Sequence, residues 1–329
     1  MTDRISVCLF TSATYAAPTA AVAAQIAGYQ DPAIAGIYYV WAEPAAPPTE
    51  LSRFLAARNI KLVAMPDTLL IQLDGLGSGR LPGAAFARML LAQVLAGENI
   101  DRFVYLDGDV DVRLPIGALA EIAMPEGFIA TADGYQDVIS TQTAERRVRW
   151  NAQMAKLGLA PGDKYFNNGV IVSHMATWEK LGPETLDFFV KNRDICPFLD
   201  QDALNALCRE RRVVLSPRYN FQRAYFPAGV FEEVNPCIIH FHGELKPWAP
   251  TPFVWTWGSR KPFADTFAAL PELWKRTPPR NKTVGQKLAM HVDGMVRALG
   301  ERGKRNAFQK EFREYMATRH FVDYHRGAV

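Results

Sequence analysis

Short runs of β-branched and aromatic residues recur along the chain: Ile5 to Phe10, Gly36 to Trp41, Lys61 to Met65, Phe103 to Leu106, Phe128 to Ala132 and Val170 to Ser173. Between them the apolar positions fall at helical spacing. Pro18 to Tyr29, Thr49 to Arg58 and Pro82 to Ala96 each open on proline or threonine, as helix entry prefers. Strands alternating with helices predict an α/β fold with a mostly parallel central sheet flanked by helices.

The pattern changes near Pro247 to Pro252, where prolines cluster and Trp255, Trp257 and Pro262 follow. A main domain over residues 1–250 is expected, with 251–329 forming a Pro/Trp-rich connection and a helical tail. In that tail Val284, Leu288, Val292, Met295, Val296 and Leu299 share one helical face, as do Phe308, Phe312 and Tyr315. Lys and Arg fill the other positions, and Gly300 and Gly303 divide the stretch into two basic amphipathic helices.

Composition fits this division. With 329 residues and 49 % hydrophobic content, the chain can bury a sizeable core as one large domain plus an appendage. Cys8, Cys196, Cys208 and Cys237 lack any C-x-x-C spacing, which points to reduced, buried thiols rather than zinc or a disulfide framework. The run Ile5 to Phe10 is too short for a signal-peptide core, and there is no apolar stretch of about 18 residues, so catalysis is expected in the cytoplasm.

Charge is uneven. Pro271 to Val329 carries 13 Lys+Arg against 6 Asp+Glu, while residues 1–270 carry 24 against 28. A negative body argues against nucleic-acid binding, which needs a basic face on the folded domain. The tail has two readings. It lies on the anionic inner face of a membrane, each Lys or Arg adding about 1 kcal/mol, or it packs on the domain as a helical pair with a solvated face.

Phe103 to Leu106 runs directly into Asp107-Gly108-Asp109, setting two carboxylates at the carboxyl end of a buried strand, where ligands sit in open α/β sheets. Carboxylates at i and i+2 share a face, and the glycine between them lets the backbone turn so that both reach one divalent ion. Such oxygen ligands suit Mg²⁺ or Mn²⁺. Alone, the triplet more often marks an ordinary Asp-Gly turn.

A second segment, His240 to Trp248, brings imidazole, Gly243 and Lys246 together after an apolar run. An imidazole completes a mixed oxygen and nitrogen shell that favours Mn²⁺. Gly243 lets a backbone N–H approach phosphate, and Lys246 supplies a point charge to a diphosphate leaving group. Spacing leaves open whether His240, His242 or both are ligands or core histidines.

Phe86-Ala87-Arg88, Tyr105-Leu106-Asp107-Gly108-Asp109, Phe166-Asn167-Asn168-Gly169-Val170, Asp200 to Asn205 and His240 to Trp248 together resemble glycosyltransferase family 8, in family order over about residues 5–250. The last, H-x-x-G-x-x-K-P-W, is the most specific. The chain looks most like the lipopolysaccharide galactosyl- and glucosyltransferases of bacteria in that family. The resemblance implies a GT-A fold and a retaining, Mn²⁺-dependent hexosyltransferase (Mg²⁺ being the other ion considered) that moves galactose or glucose from a UDP-sugar to a glycan or glycolipid.

By the same resemblance, Asp107, Asp109 and His240 ligate the metal, Gly243 and Lys246 hold the distal phosphate, and Arg88 and Asp107 lie near the donor. Asp133, Asn167, Asp200 and Gln201 surround the sugar, with Gln201 and Asp200 as the catalytic candidates, and Trp248 packs. Gln201, a poor nucleophile, steadies positive charge during same-face attack. Asp200 also reads as an ordinary helix N-cap ahead of Ala203 to Cys208.

One departure stands out. The family's first strand ends in an acidic pair followed by Asn and Tyr, whereas here the stretch is Ser12-Ala13-Thr14-Tyr15. Ser12 or Thr14 substitutes for the acid, Tyr15 stacks on the base, or the base is not uracil. Two rival functions remain: a transferase-like protein that binds sugar nucleotides without turnover, and a sugar-1-phosphate nucleotidyltransferase. Against the second, Leu9 to Ala20 holds no glycine, Lys or Arg for a phosphate loop.

Overall fold

The computed structural model describes residues 4–77, 83–139, 144–243, 246–248, 257–277 and 283–323. All six expected strands form: β1 (Ile5–Thr11), β2 (Ile34–Trp41), β3 (Lys61–Ala64), β4 (Arg102–Leu106), and, after the short β5 (Val110–Val112), β6 (Ile129–Ala132) and β7 (Val170–His174). With β8 (Arg212–Leu215) they make a seven-stranded sheet in the order β3-β2-β1-β4-β7-β6-β8. The sheet is mostly parallel, β7 alone running antiparallel to its neighbours β4 and β6. The half-buried β8 lies at the sheet edge and was not among the expected strands, its apolar run Val213-Val214-Leu215 being short.

β1 pairs with β2 on one side and β4 on the other, so the chain order reverses there. The crevice outside the carboxyl ends of β1 and β4 is the topological switch point at which open α/β sheets bind ligands. Asp107 follows β4 into that crevice and Tyr15 follows β1. A smaller three-stranded sheet, β5-β10-β9, is built from β9 (Phe221–Gln222) and β10 (Ile238–His240) with β5. β10 pairs antiparallel with β5, His240 facing Val110, and parallel with β9.

Helices α1 (Ala16–Tyr29), α2 (Thr49–Ala56), α3 (Asp67–Leu70) and α4 (Leu91–Val94) come from the first part of the chain. They are followed by α5 (Ala144–Lys156), α6 (Met175–Lys191), α7 (Asp200–Cys208) and α8 (Phe231–Val234). The helix expected over 82–96 is different: Gly83–Leu90 winds as 3₁₀, and only Leu91–Val94 is α-helical. Its carbonyls serve other partners, because Trp178 Nε1 of α6 donates to Arg88 O at 2.8 Å and Gly182 packs onto the Met89 carbonyl. Pro82 lies outside the described residues.

The last part of the chain divides in two. Beyond residues 249–256, also outside the described residues, α9 (Trp257–Ala269) and α10 (Pro271–Arg276) pack against α1, whose alanines Ala16, Ala17, Ala20 and Ala23 permit close approach. Trp248 joins this contact, its ring 4.9 Å from Phe263, as a packing residue would. Of the two tail helices, α11 (Val284–Arg302) leaves its apolar stripe open, with Val284, Leu288, Val292, Met295, Val296 and Leu299 exposed by 49 to 83 %. By contrast α12 (Arg305–Thr318) buries Phe308, Phe312 and Tyr315 among Phe221, Tyr225 and Val230. No helix of the described residues is long and apolar enough to cross a membrane. The four cysteines are free and buried.

Candidate active site

Backbone pairing brings the two sequence segments together. Asp107 N–H donates to Gly169 O at 2.9 Å, and Phe241 N–H donates to Asp109 O at 3.0 Å, so β5 and β10 clamp the carboxylate triplet against the histidine segment. His240 Nε2 lies 3.3 Å from Asp109 Oδ1 and 3.7 Å from Asp107 Oδ2. One ligand atom each from Asp107, Asp109 and His240 lie within 4.8 Å of one another, close enough to share a metal ion. Two carboxylates and one imidazole are the mixed donor set suited to Mn²⁺, so the residues present fit the ion that the resemblance implies.

One glycine acts differently from expectation. Gly108 does not adopt a positive φ; a side chain there would run into Thr19 of α1, so close packing rather than turning demands the glycine. Gly169 faces the ligand set directly, and a methyl group on it would collide with the His240 ring and come within 2.8 Å of Asp107 Oδ2. Gly243 has φ +80 and open space above it, leaving its backbone accessible to a phosphate.

Lys246 is buried against this cluster, its ammonium ion-paired with Asp109 Oδ2 and donating to Phe241 O at 2.8 Å. Burial opposes its charge, but Asp109 and Tyr15 outweigh that and raise its pKa. Burial likewise opposes ionisation of Asp109, yet Lys246 and His240 hold its carboxyl well below the usual range. The Tyr15 ring lies 6.0 Å from the ammonium and meets Trp248 edge-on at 6.3 Å.

Arg88 ties Asp107 to Asp200. Its Nη1 donates to Asp107 Oδ1 at 2.8 Å, and its Nε donates to Asp200 Oδ2 at 2.7 Å. Burial disfavours the guanidinium charge, but Asp200, Tyr105 and Asp107 together push its pKa up. Breaking such a buried pair costs about 3–5 kcal/mol because the survivor keeps an uncompensated charge. Asp200 is the first residue of α7, not its cap: its carboxylate serves Arg88 and accepts from Asn168 Nδ2 at 3.0 Å. Leu199 before it has φ 56, a strained conformation for leucine, of the kind that gathers at functional sites.

Gln201 is fixed from three sides. Its Oε1 accepts from Asn167 Nδ2 at 3.1 Å and Asn168 N–H at 3.2 Å, and its Nε2 donates to Tyr165 Oη at 2.9 Å. Thus Asn167, Asp200, Gln201 and Arg88 share one hydrogen-bonded network with Asp107 and Asn168. Asp133 is bridged through its backbone to Phe166, next to Asn167, but its carboxylate is engaged elsewhere. It is buried, receives hydrogen bonds from Arg212 Nη2 at 2.6 Å and Tyr315 Oη at 3.0 Å, and is ion-paired with Arg319, so it anchors the tail instead.

Sequence reasoning missed several participants. Asn220 Oδ1 lies 3.0 Å from His240 Nδ1, and Tyr105 donates to Asp107 Oδ1 at 2.6 Å. Tyr105 was discoverable two residues before Asp107 on the same strand face; Asn220 carried no signal. Glu43, just beyond β2, accepts from Ala13 N–H at 2.8 Å, supplying a carboxylate beside the stretch that lacks one. His242 stays out of the ligand set and stacks on Tyr135, ring centroids 5.1 Å apart.

The model of glycosyl transferase family 8 matches residues 78–251, more than half of the chain. General stress protein A of Bacillus subtilis is 26 % identical over 188 residues, 52 % of this chain and 61 % of that protein. Lipopolysaccharide 1,2-glucosyltransferase of Escherichia coli is 26 % identical over 176 residues, 50 % of this chain and 49 % of that protein. The matches thus span less than two thirds of these relatives' own length. The crystal structure of galactosyltransferase LgtC with donor and acceptor sugar analogues superposes with a TM-score of 0.64 at 19 % identity, covering 80 % of this chain and 96 % of that one. The fold is therefore the GT-A type.

Proposed function

Since the chain belongs to glycosyltransferase family 8, we propose that it is a retaining hexosyltransferase that moves galactose or glucose from a UDP-sugar to a glycan or glycolipid hydroxyl. The observation that carries this reading is the convergence of Asp107, Asp109 and His240 at the switch point, beside Lys246 and the open Gly243. Asp107, Asp109 and His240 hold Mn²⁺, which when bound neutralises the donor diphosphate and supports its departure.

Lys246 and the Gly243 N–H hold the distal phosphate. The bond from the sugar anomeric carbon to the phosphate oxygen breaks with its electron pair going to that oxygen. An acceptor hydroxyl forms the new bond from the same face, and its proton passes to the departing phosphate oxygen. Gln201, held by Asn167, Asn168 and Tyr165, presents its amide dipole to the oxocarbenium-like centre. Asp200, oriented by Arg88 and Asn168, accepts from sugar hydroxyls.

At the far end Tyr15 packs on the base, and Glu43 supplies a carboxylate for the uracil N–H in place of the acidic pair absent from Ser12-Ala13. The chain works in the cytoplasm, with α11 resting on the anionic inner membrane face. In support, α11 leaves six apolar side chains open, and residues 280–305 carry seven Lys+Arg against two Asp+Glu. Incubating the protein with Mn²⁺ and UDP-, GDP- and TDP-hexoses, and following the anomeric configuration of any product, tests the reading. Nucleotide release from a UDP-hexose with a retained anomer is expected; no turnover of any donor, or an inverted anomer, contradicts it.

A further inference from the structure

Asp202, which follows Gln201 on α7, is a buried carboxylate that the proposed reaction does not use. Both of its oxygens are engaged: Oδ1 accepts from Tyr165 Oη at 2.7 Å, and Oδ2 accepts from the Phe198 N–H at 2.6 Å. The buried Tyr165 hydroxyl in turn accepts from Gln201 Nε2 at 2.9 Å. One chain of hydrogen bonds therefore runs from Asp202 through Tyr165 to Gln201, and of the three side chains Gln201 alone keeps part of its surface open.

The chain has a direction. A carboxylate only accepts, so Tyr165 directs its single proton to Asp202 and presents a lone pair to Gln201. Burial and the Asp202 charge raise the tyrosine pKa well above its ordinary value, which keeps that proton in place. Only the Nε2 end of the amide answers a lone pair, and Oε1 is left to face Asn167 Nδ2 and the Asn168 N–H. Orientation matters because the two ends of an amide dipole differ in sign: the oxygen end steadies a cationic sugar centre and the NH₂ end opposes it. Trp150 confines the assembly, meeting Tyr165 edge-on at 5.1 Å and Phe198 at 6.1 Å. Asp137 holds that frame, accepting from the Tyr165 N–H at 2.9 Å and from Trp150 Nε1 at 3.1 Å.

We propose, on the reading of Gln201 given above, that Asp202 and Tyr165 are positioning residues that set the direction of the Gln201 amide, and that a proton on Asp202 releases it. In the acid form the proton must sit on one of two oxygens that already face a donor. The Phe198 N–H is fixed in the backbone, so the proton goes to Oδ1 and the bond to Tyr165 reverses. The Tyr165 proton then turns toward Gln201 Nε2, where two donors meet, and the amide loses its anchor. The groups around Asp202 place this change in an accessible range. Burial opposes its charge most, the Phe198 N–H and the Tyr165 hydroxyl favour the charge, and Asp200 on the same helix opposes it, leaving the pKa at about 6. The Cys196 thiol beside it stays neutral, pushed up to about 12 by burial, Asp202 and Asp194.

Nuclear magnetic resonance of the full chain carrying isotope-labelled glutamine tests the chain of bonds without any turnover. The Gln201 side-chain amide signals, assigned as those missing from Gln201→Ala, should move with pH about a midpoint of about 6 in the wild type. They should stay fixed in Asp202→Asn and in Tyr165→Phe. Signals that do not titrate in the wild type, or a titration that survives in both variants, would overturn the proposal. Kinetics with Mn²⁺ and a UDP-hexose reads the consequence: wild-type kcat should rise with pH through about 6 and then level off. Asp202→Asn offers Tyr165 an N–H in place of a carboxylate oxygen, and its kcat should lie roughly tenfold to a hundredfold below that plateau at every pH, with the donor KM little altered. A merely structural Asp202 would lower the melting temperature and leave the kcat profile with the wild-type shape, which contradicts the proposal. If the wild type turns over no donor, the donor reading fails, while the amide signals still decide the roles of Asp202 and Tyr165.

Discussion

Asn220 Oδ1 accepts the Nδ1 proton of His240 across 3.0 Å, while Asn220 Nδ2 donates to Asn167 Oδ1 at 2.9 Å. The second bond fixes the amide orientation, so its oxygen must face the imidazole. That leaves His240 Nε2 as the ring nitrogen turned toward Asp107 and Asp109, the one a bound metal would take. Replacing Asn220 with leucine should weaken Mn²⁺ binding roughly tenfold to a hundredfold, read by calorimetric titration of the ion. Unchanged affinity would show that the amide plays no part in orienting the ring.

Glu43 should govern recognition of the base. Its carboxylate accepts from Ala13 N–H through one oxygen, with the other available to a uracil N–H. Losing a hydrogen bond to a charged group costs roughly 1.5–3 kcal/mol, so Glu43→Gln is expected to raise the KM for a UDP-hexose about tenfold or more, with kcat little altered. A kcat effect without a KM effect would move Glu43 away from the base.

Asp202 gives the stability curve a pH dependence. Burial raises its pKa from 3.8 to about 6, although Tyr165 Oη and the Phe198 N–H both donate to it. A carboxyl whose folded pKa exceeds its unfolded value contributes stability that is complete at low pH and is lost as pH rises through about 6. Relative to Asp202→Asn, the wild type should lose about 2 kcal/mol between pH 4 and pH 7. Parallel denaturation curves for the two proteins across that range would exclude this role.

The apolar face of α11 should bind anionic membranes. Leu288→Asp, Met295→Asp and Leu299→Asp together place charge on that exposed face without touching the buried aromatics of α12. The triple variant is expected to remain in the supernatant when sedimented with phosphatidylserine-rich liposomes that pull down the wild type. Equal sedimentation of both would rule out this face as the contact.

Features local in sequence were legible from it, and those made by distant pairings were not. Asp107, Asp109, Gly243 and Lys246 stood out within two short segments, the choice of His240 over His242 came from the family resemblance, and the six strands showed in their apolar runs. Asn220 did not, because only the parallel register of β9 with β10 carries it to His240. Asp133 resembled a sugar ligand by position, but Arg212, Tyr315 and Arg319 occupy its carboxylate from far along the chain. Two tail helices with similar periodicity met different fates: Phe308, Phe312 and Tyr315 found an aromatic cluster to enter, while the aliphatic stripe of α11 found no cover among the described residues.

The most direct test of the metal-diphosphate site is UDP release from a UDP-hexose by purified protein over a Mn²⁺ titration, for wild type and Asp109→Ala, with melting curves confirming that both are folded. Release that saturates with Mn²⁺ in the wild type and falls by about a hundredfold or more in the variant is expected, since the metal supplies several kcal/mol of charge stabilisation. Release independent of divalent metal, or an Asp109→Ala rate equal to that of wild type, contradicts the account.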